Sequence, residues 1–133
     1  MIVLDTHALV WWVSGDNRLL SATARATISK EEANEASMIV SAISAWEIAI
    51  LVQKSRLVLS MDVEEWLDHV ASLPPIRFVP VDRQTAVQSV RLPGEFHADP
   101  ADRIIVATAR RLNVPLVSGD SKIRDYPHVR SIW

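Results

Sequence analysis

Short apolar runs alternate with helical stripes along the whole chain. Residues 2–4, Ile-Val-Leu, are uniformly apolar and stop at Asp5, as a strand buried on both faces does. Leu9, Trp12 and Val13 follow at i, i+3, i+4 spacing and predict a helix over residues 6–13, ended by Gly15. Ser21 to Ala36, rich in Ala, Glu, Lys and Arg, predicts a more exposed helix. Met38-Ile39-Val40 predicts a second strand. Ser44 opens a predicted helix to about Ser55, with Ile43, Glu47, Ile50, Leu51 and Lys54 along one side. Asp62-Val-Glu-Glu65 is a capping-box pattern for a further helix with an apolar stripe of Val63, Trp66, Leu67 and Val70, and Pro74-Pro75 stops it. Residues 76–81 predict a third strand, and Asp82 caps a helix to about Val90. Asp99-Pro100 pairs an N-cap with proline at the first helical position, opening a helix to Leu112. Leu116-Val117 predicts a fourth strand running to Asp120, and Val129 to Trp133 an edge strand. Strands alternating with helices predict a parallel sheet covered on both faces.

Composition narrows the picture. A chain of 133 residues suits one domain spanning 1–133, since domains typically have about 100–150 residues. No cysteine is present, which excludes a disulfide scaffold, a thiolate nucleophile and a cysteine-ligated zinc site. No apolar run approaches the roughly 18 residues of a membrane span. The opening MIVLDTHALVWW lacks a basic stretch and a small-residue cleavage site, so a cytoplasmic protein is expected. The net charge is −2, from 14 Lys+Arg against 16 Asp+Glu. Duplex-binding proteins usually carry a basic face. A nucleic-acid role here therefore requires a local device, such as acids holding metal ions that neutralise phosphate.

The acids suggest such a device. In open parallel sheets, sites lie beyond the C-terminal ends of the strands. Asp5 and Asp120 sit at such ends, and Glu47 and Asp102 sit early in helices on what is expected to be the same rim. Glu47 is flanked by Ile43, Ile50 and Leu51, and Asp102 is followed by Ile105 and Val106. Both acids thus continue apolar stripes, where an unpartnered carboxylate costs several kcal/mol, and a bound cation is the natural partner. Capping is the competing explanation: Ser44-Ala-Trp-Glu47 matches S-x-x-E, and Asp99-Pro-Ala-Asp102 places an acid at N3. It does not extend to Asp5 and Asp120, which end strands. Carboxylates without His or Cys select hard cations such as Mg²⁺ or Mn²⁺, and the usual work of such sites is phosphodiester hydrolysis.

On these residues the sequence resembles the PIN-domain ribonucleases, specifically the VapC-type toxins of toxin–antitoxin pairs. The resemblance is carried by LDTHALVWW at 4–12, SAISAWEIA at 41–49, DPADRIIVATA at 99–109 and LVSGD at 116–120, in the family's order and spacing. It implies a three-layer α/β/α sandwich around a small parallel sheet. It also implies an Mg²⁺-dependent endoribonuclease, with Mn²⁺ able to substitute, whose catalytic and metal-holding quartet is Asp5, Glu47, Asp102 and Asp120. Asp99 is expected as an accessory acid, and Ser118 and Thr6 as supporting hydroxyls. An RNA substrate, a cognate antitoxin and a homodimer complete the expectation, with Leu9, Val13 and the helix at 21–36 as candidates for the antitoxin groove.

The other side chains carry less. Trp11, Trp12, Trp46 and Trp66 sit in helical stripes and read as core or dimer packing. Arg103 and Lys122 are the leading candidates for RNA contact, followed by Arg110, Arg111 and Arg124. His97 is placed near the metals or in a structural loop, and His7 on the rim. No D-x-D-x-T follows the first strand, no nucleotide-binding glycine motif is present, and the serines lack a His/Asp arrangement. The remaining alternative is a catalytically silent PIN-like scaffold that only binds a partner.

Overall fold

The computed structural model describes residues 1–16 and 18–133. Five strands form one parallel sheet: β1 (Ile2–Leu4), β2 (Met38–Ser41), β3 (Ile76–Val79), β4 (Leu116–Val117) and β5 (Ser131–Ile132), ordered β3-β2-β1-β4-β5. Val3 pairs with Ile39 on one side and with Leu116 on the other, so β1 is the central strand and is fully buried.

Among the described residues, seven helices cover the sheet: α1 (Thr6–Ser14), α2 (Ala22–Ala33), α3 (Ala42–Gln53), α4 (Val63–Ser72), α5 (Arg83–Val90), α6 (Pro100–Leu112) and α7 (Ser121–Arg124). The two-residue period of a strand splits the core between the faces. Ile2, Leu4, Met38 and Val40 pack with Leu9, Ile28, Ile48, Trp66 and Val70 from α1 to α4. Val3, Ile39 and Leu116 pack with Ile105, Val106, Ala109, Ile123 and Tyr126 on the other face. The result is the expected α/β/α sandwich with a small parallel sheet.

Several elements differ from the sequence reading. α3 begins at Ala42, with Ser41 as its cap; the Ser41 Oγ accepts from the Ile43 N–H at 3.2 Å. Ser44 is buried inside the helix instead, where it accepts a hydrogen bond from Thr6 at 2.9 Å. β3 stops at Val79 because Pro80 offers no N–H to the ladder. α7 was not foreseen. Leu9 and α2's Ala24 and Ile28 are core residues, Val13 is partly buried, and the other face of α2 is exposed.

The sheet order creates the site. The chain runs outward from β1 through β2 to β3, then returns to place β4 on the other side of β1. The crevice between β1 and β4 is the switch point at which parallel sheets open a cleft, and Asp5 and Asp120 follow the strands that flank it.

Candidate metal centre

Asp5 leaves β1 at the first residue before α1. Its backbone N–H still donates to Val117 O at 3.1 Å, while its carboxylate caps α1 by accepting from Ala8 N–H at 2.8 Å. Asp120 caps α7, accepting from Lys122 N–H at 2.8 Å, and Asp99 caps α6, accepting from Asp102 N–H at 2.9 Å. Capping therefore holds for both acids that the sequence reading had exempted as strand ends. Glu47, in the second turn of α3, has no capping role at all.

The five acids nevertheless meet. Asp5, Glu47, Asp99, Asp102 and Asp120 line one cleft of about 410 Å³, together with Thr6, His7, Trp11 and Gly119. The tightest grouping is Glu47, Asp99 and Asp102, each offering a carboxylate oxygen within 4.8 Å of the others. Asp99, expected only as an accessory, thus stands as close to this centre as any member of the quartet. Its capping geometry explains why, since an N-cap carboxylate turns toward N3 and N3 is Asp102.

Among the described residues, none of the five pairs with a lysine or arginine. Burial, and then the charges of Asp99, Asp120, Glu47 and Asp5, push the Asp102 carboxyl up to about 7. Burial also pushes Asp5 up, against hydrogen bonds from Ser118 and Ala8. Groups raised in this way are short of positive charge. A donor set of carboxylate oxygens suits a hard divalent cation.

The supporting residues are placed with them. Ser118, fully buried, hydrogen-bonds Asp5 and accepts from Asp120 N–H at 3.1 Å. The Thr6–Ser44 bond ties the start of α1 to α3, fixing Asp5 relative to Glu47. Trp133 seals the β4 end, since a Cβ on Gly119 would lie 2.8 Å from its ring. His97, ambiguous in the sequence, brings Nε2 to 3.0 Å from Asp102 Oδ2. The approach falls outside hydrogen-bond geometry, and Nε2 is shut off from solvent without another partner.

Three expected RNA contacts are engaged elsewhere. Arg103 donates to four backbone carbonyls, Arg110 donates to His128 O, and Arg111 pairs with Asp82. Lys122 and Arg124 are exposed on α7. Trp66 is core, as read, whereas Trp46 is 53% exposed.

A cleft lined by five carboxylates thus lies at the switch point of a small parallel α/β sandwich. The chain belongs to the PIN domain family, whose sequence profile matches residues 2–129. It is 36% identical over 134 residues to Ribonuclease VapC22 of Mycobacterium tuberculosis (strain ATCC 25618 / H37Rv), covering 99% of this chain and 98% of that one. Its fold is similar to VapBC2 from Rickettsia felis bound to a promoter DNA fragment (TM-score 0.69, 17% identity, 98% of this chain and 97% of that). It is likewise similar to a toxin–antitoxin complex from Klebsiella pneumoniae (TM-score 0.65, 20% identity, 97% and 95%).

Proposed function

We propose that this chain is a divalent-metal-dependent endoribonuclease, the toxin of a toxin–antitoxin pair. The observation that carries the reading is the cleft of five acids without lysine or arginine partners. A relative that is a ribonuclease by name supports it, as do structural neighbours solved as toxin–antitoxin complexes.

Glu47, Asp99 and Asp102 would hold Mg²⁺ or Mn²⁺, with Asp5 and Asp120 lining the same cleft. When bound, such ions supply Lewis acidity at the phosphate and activate water at neutral pH. The chain's own part is positioning. Ala8 N–H and Ser118 hold Asp5, Lys122 N–H holds Asp120, and the Thr6–Ser44 bond ties the helix that follows Asp5 to the helix that carries Glu47. Asp102, its carboxyl pushed up to about 7, would give up a proton when a cation binds. His7 and Trp11 border the cleft where RNA enters, and the exposed Lys122 and Arg124 remain the candidates for a phosphate contact.

The antitoxin fits an apolar groove of about 560 Å³ that includes Val10, Trp11, Val13, Leu57, Val58 and Met61. Trp11 lines both this groove and the acidic cleft, so a segment seated in the groove reaches the acids. Exposed Trp46 on α3 offers an apolar surface for a homodimer. No described helix is long and apolar enough to cross a membrane.

Cleavage of labelled RNA by the purified chain in Mg²⁺, Mn²⁺ or EDTA tests the reading. Cutting that requires metal and disappears in Asp5→Asn and Asp102→Asn supports it. Cutting that persists in both variants refutes the site. Metal binding without cleavage of any RNA favours the silent scaffold.

A further inference from the structure

Arg103 follows Asp102 on α6, and its guanidinium is turned away from the cleft onto backbone. Nε donates to Ser89 O at 2.8 Å, and Nη1 to Phe96 O at 2.9 Å and His97 O at 3.2 Å. Nη2 donates to Val90 O at 3.3 Å. Ser89 and Val90 end α5, where helix carbonyls have no intrahelical donor. Phe96 and His97 lie in the connection from α5 to α6. One planar group therefore ties the end of a helix, the following loop and the next helix together. Four of the five N–H donors of an arginine are used in this way, leaving little for phosphate. Lysine, with a single ammonium on a flexible stem, has no comparable fork.

The loop is held from a second side. The Phe96 ring lies 4.7 Å from that of Tyr126, and the Tyr126 hydroxyl donates to Pro93 O. The Arg103 guanidinium carbon lies 6.0 Å from the Phe96 ring centroid. This fixed loop presents His97 to the site, with Nε2 buried and 3.0 Å from Asp102 Oδ2. The imidazole is the side chain of this loop that stands directly against the Asp102 carboxylate.

We infer that Arg103 is a positioning residue. By fixing the carbonyls of Phe96 and His97, it seats the His97 imidazole against the Asp102 carboxylate and so orients that carboxylate toward the cation. The inference rests on the metallonuclease reading and adds to it a residue that touches neither metal nor RNA.

Calorimetric titration of the full chain with Mn²⁺, alongside RNA cleavage kinetics and melting temperatures, tests the inference in Arg103→Ala, Arg103→Lys, His97→Ala and the Arg103→Ala/His97→Ala double variant. Loss of a residue that orients a metal ligand typically weakens metal affinity or activity by about 10–100-fold. That loss is expected in Mn²⁺ affinity and kcat for both alanine variants, with KM for RNA held within about 2-fold and no restoration by lysine. Because Arg103 acts through His97, the double variant should be no worse than the poorer single one. His97→Ala leaves every Arg103 bond in place, since only the His97 carbonyl is used, so it tests the His97–Asp102 contact alone, and Arg103→Lys, which removes the fork but keeps the stem and charge, carries the test of Arg103 if Arg103→Ala fails to fold. Unchanged Mn²⁺ affinity in a folded His97→Ala overturns the inference, as does a rise in KM alone in Arg103→Ala, which would make Arg103 a phosphate contact. A wild-type chain that binds Mn²⁺ but cuts no RNA refutes the nuclease reading and leaves the Mn²⁺ comparison to judge Arg103. A wild-type chain that binds no Mn²⁺ overturns both.

Discussion

Asp82 and Asp99 open neighbouring helices in the same way, yet their carboxylates face opposite surroundings. Asp82 caps α5 by accepting from Thr85 N–H at 2.8 Å, and Asp99 caps α6 by accepting from Asp102 N–H at 2.9 Å. Across the fold, Asp82 meets Arg111 Nη1 at 2.9 Å. Hydrogen bonds from Thr85, with Arg111 beside it, hold its carboxyl below the usual range. Asp99 meets Glu47 and Asp102 instead, and helps push Asp102 up to about 7. Capping decides where along the chain a carboxylate sits; it does not decide what that carboxylate faces. A fold that supplies arginine to one cap and two further acids to the other keeps charge repulsion in its cleft, which fits a site completed by a cation.

The sharpest way to break this comparison is to neutralise one acid on each side. Asp102→Asn is expected to reduce metal-dependent RNA cleavage by more than the roughly 100-fold that loss of a merely supporting partner costs. Asp82→Asn should leave the cleavage rate unchanged. Equal losses in both variants would show that the cleft acids are not special.

Packing gives the next effect. Leu9, fully buried on α1, anchors the helix that Asp5 opens. Leu9→Ala should cost about 2–5 kcal/mol in denaturant unfolding while Mn²⁺ affinity of the folded fraction is retained. Loss of affinity in proportion to stability would tie the site to the core, not to its own charges.

The pH dependence of stability is smaller and opposite in sign on the two sides. Asp102 moves from 3.8 to about 7 on folding, so the folded chain holds a proton there that the unfolded chain has released. The metal-free protein therefore loses stability as pH rises from about 4 to about 7 and levels off above that. Asp5, also raised, adds in the same direction. Asp82, lowered, contributes stability above 3.8 that is lost only as pH falls further. Melting curves from pH 4 to 8 in EDTA should show the decline in wild type and a flatter profile in Asp102→Asn. A decline of the same size in that variant would place the strain elsewhere.

The smallest effect is expected at Arg111→Ala. It removes one exposed ion pair and should shift the melting temperature only slightly, since such pairs contribute little. A large shift would mean that its bonds to Gln84 and Thr85 do more to join α5 to α6 than the ion pair does.

Much of this was legible in the sequence because the informative signals are local. Ile2-Val3-Leu4 and Met38-Ile39-Val40 are uninterrupted apolar runs, and Asp62, Asp82 and Asp99 announce helices with a cap. The four-residue α7 is too short to show a period. Ser41 and Ser44 both precede helical sequence, and only the end of β2 at Ser41 decides which one caps. Among the acids, spacing identified Asp5, Glu47, Asp102 and Asp120 but misjudged which of them cap helices. It could not show how close Asp99 stands to Glu47 and Asp102, because that closeness is set by α3 packing against α6. Arg103 misled for the same reason: its four acceptors are backbone carbonyls, which no side-chain pattern reveals.

The most direct measurement is the melting temperature of wild type, Asp82→Asn and Asp102→Asn in EDTA and in millimolar Mg²⁺ or Mn²⁺ at pH 7.5. Metal should raise the transition in wild type and in Asp82→Asn by mass action. Asp102→Asn should melt higher than wild type in EDTA, having lost a repelled charge, and gain little from metal. No metal-dependent shift in wild type, or an equal shift in Asp102→Asn, would contradict the claim that these acids exist to hold a cation.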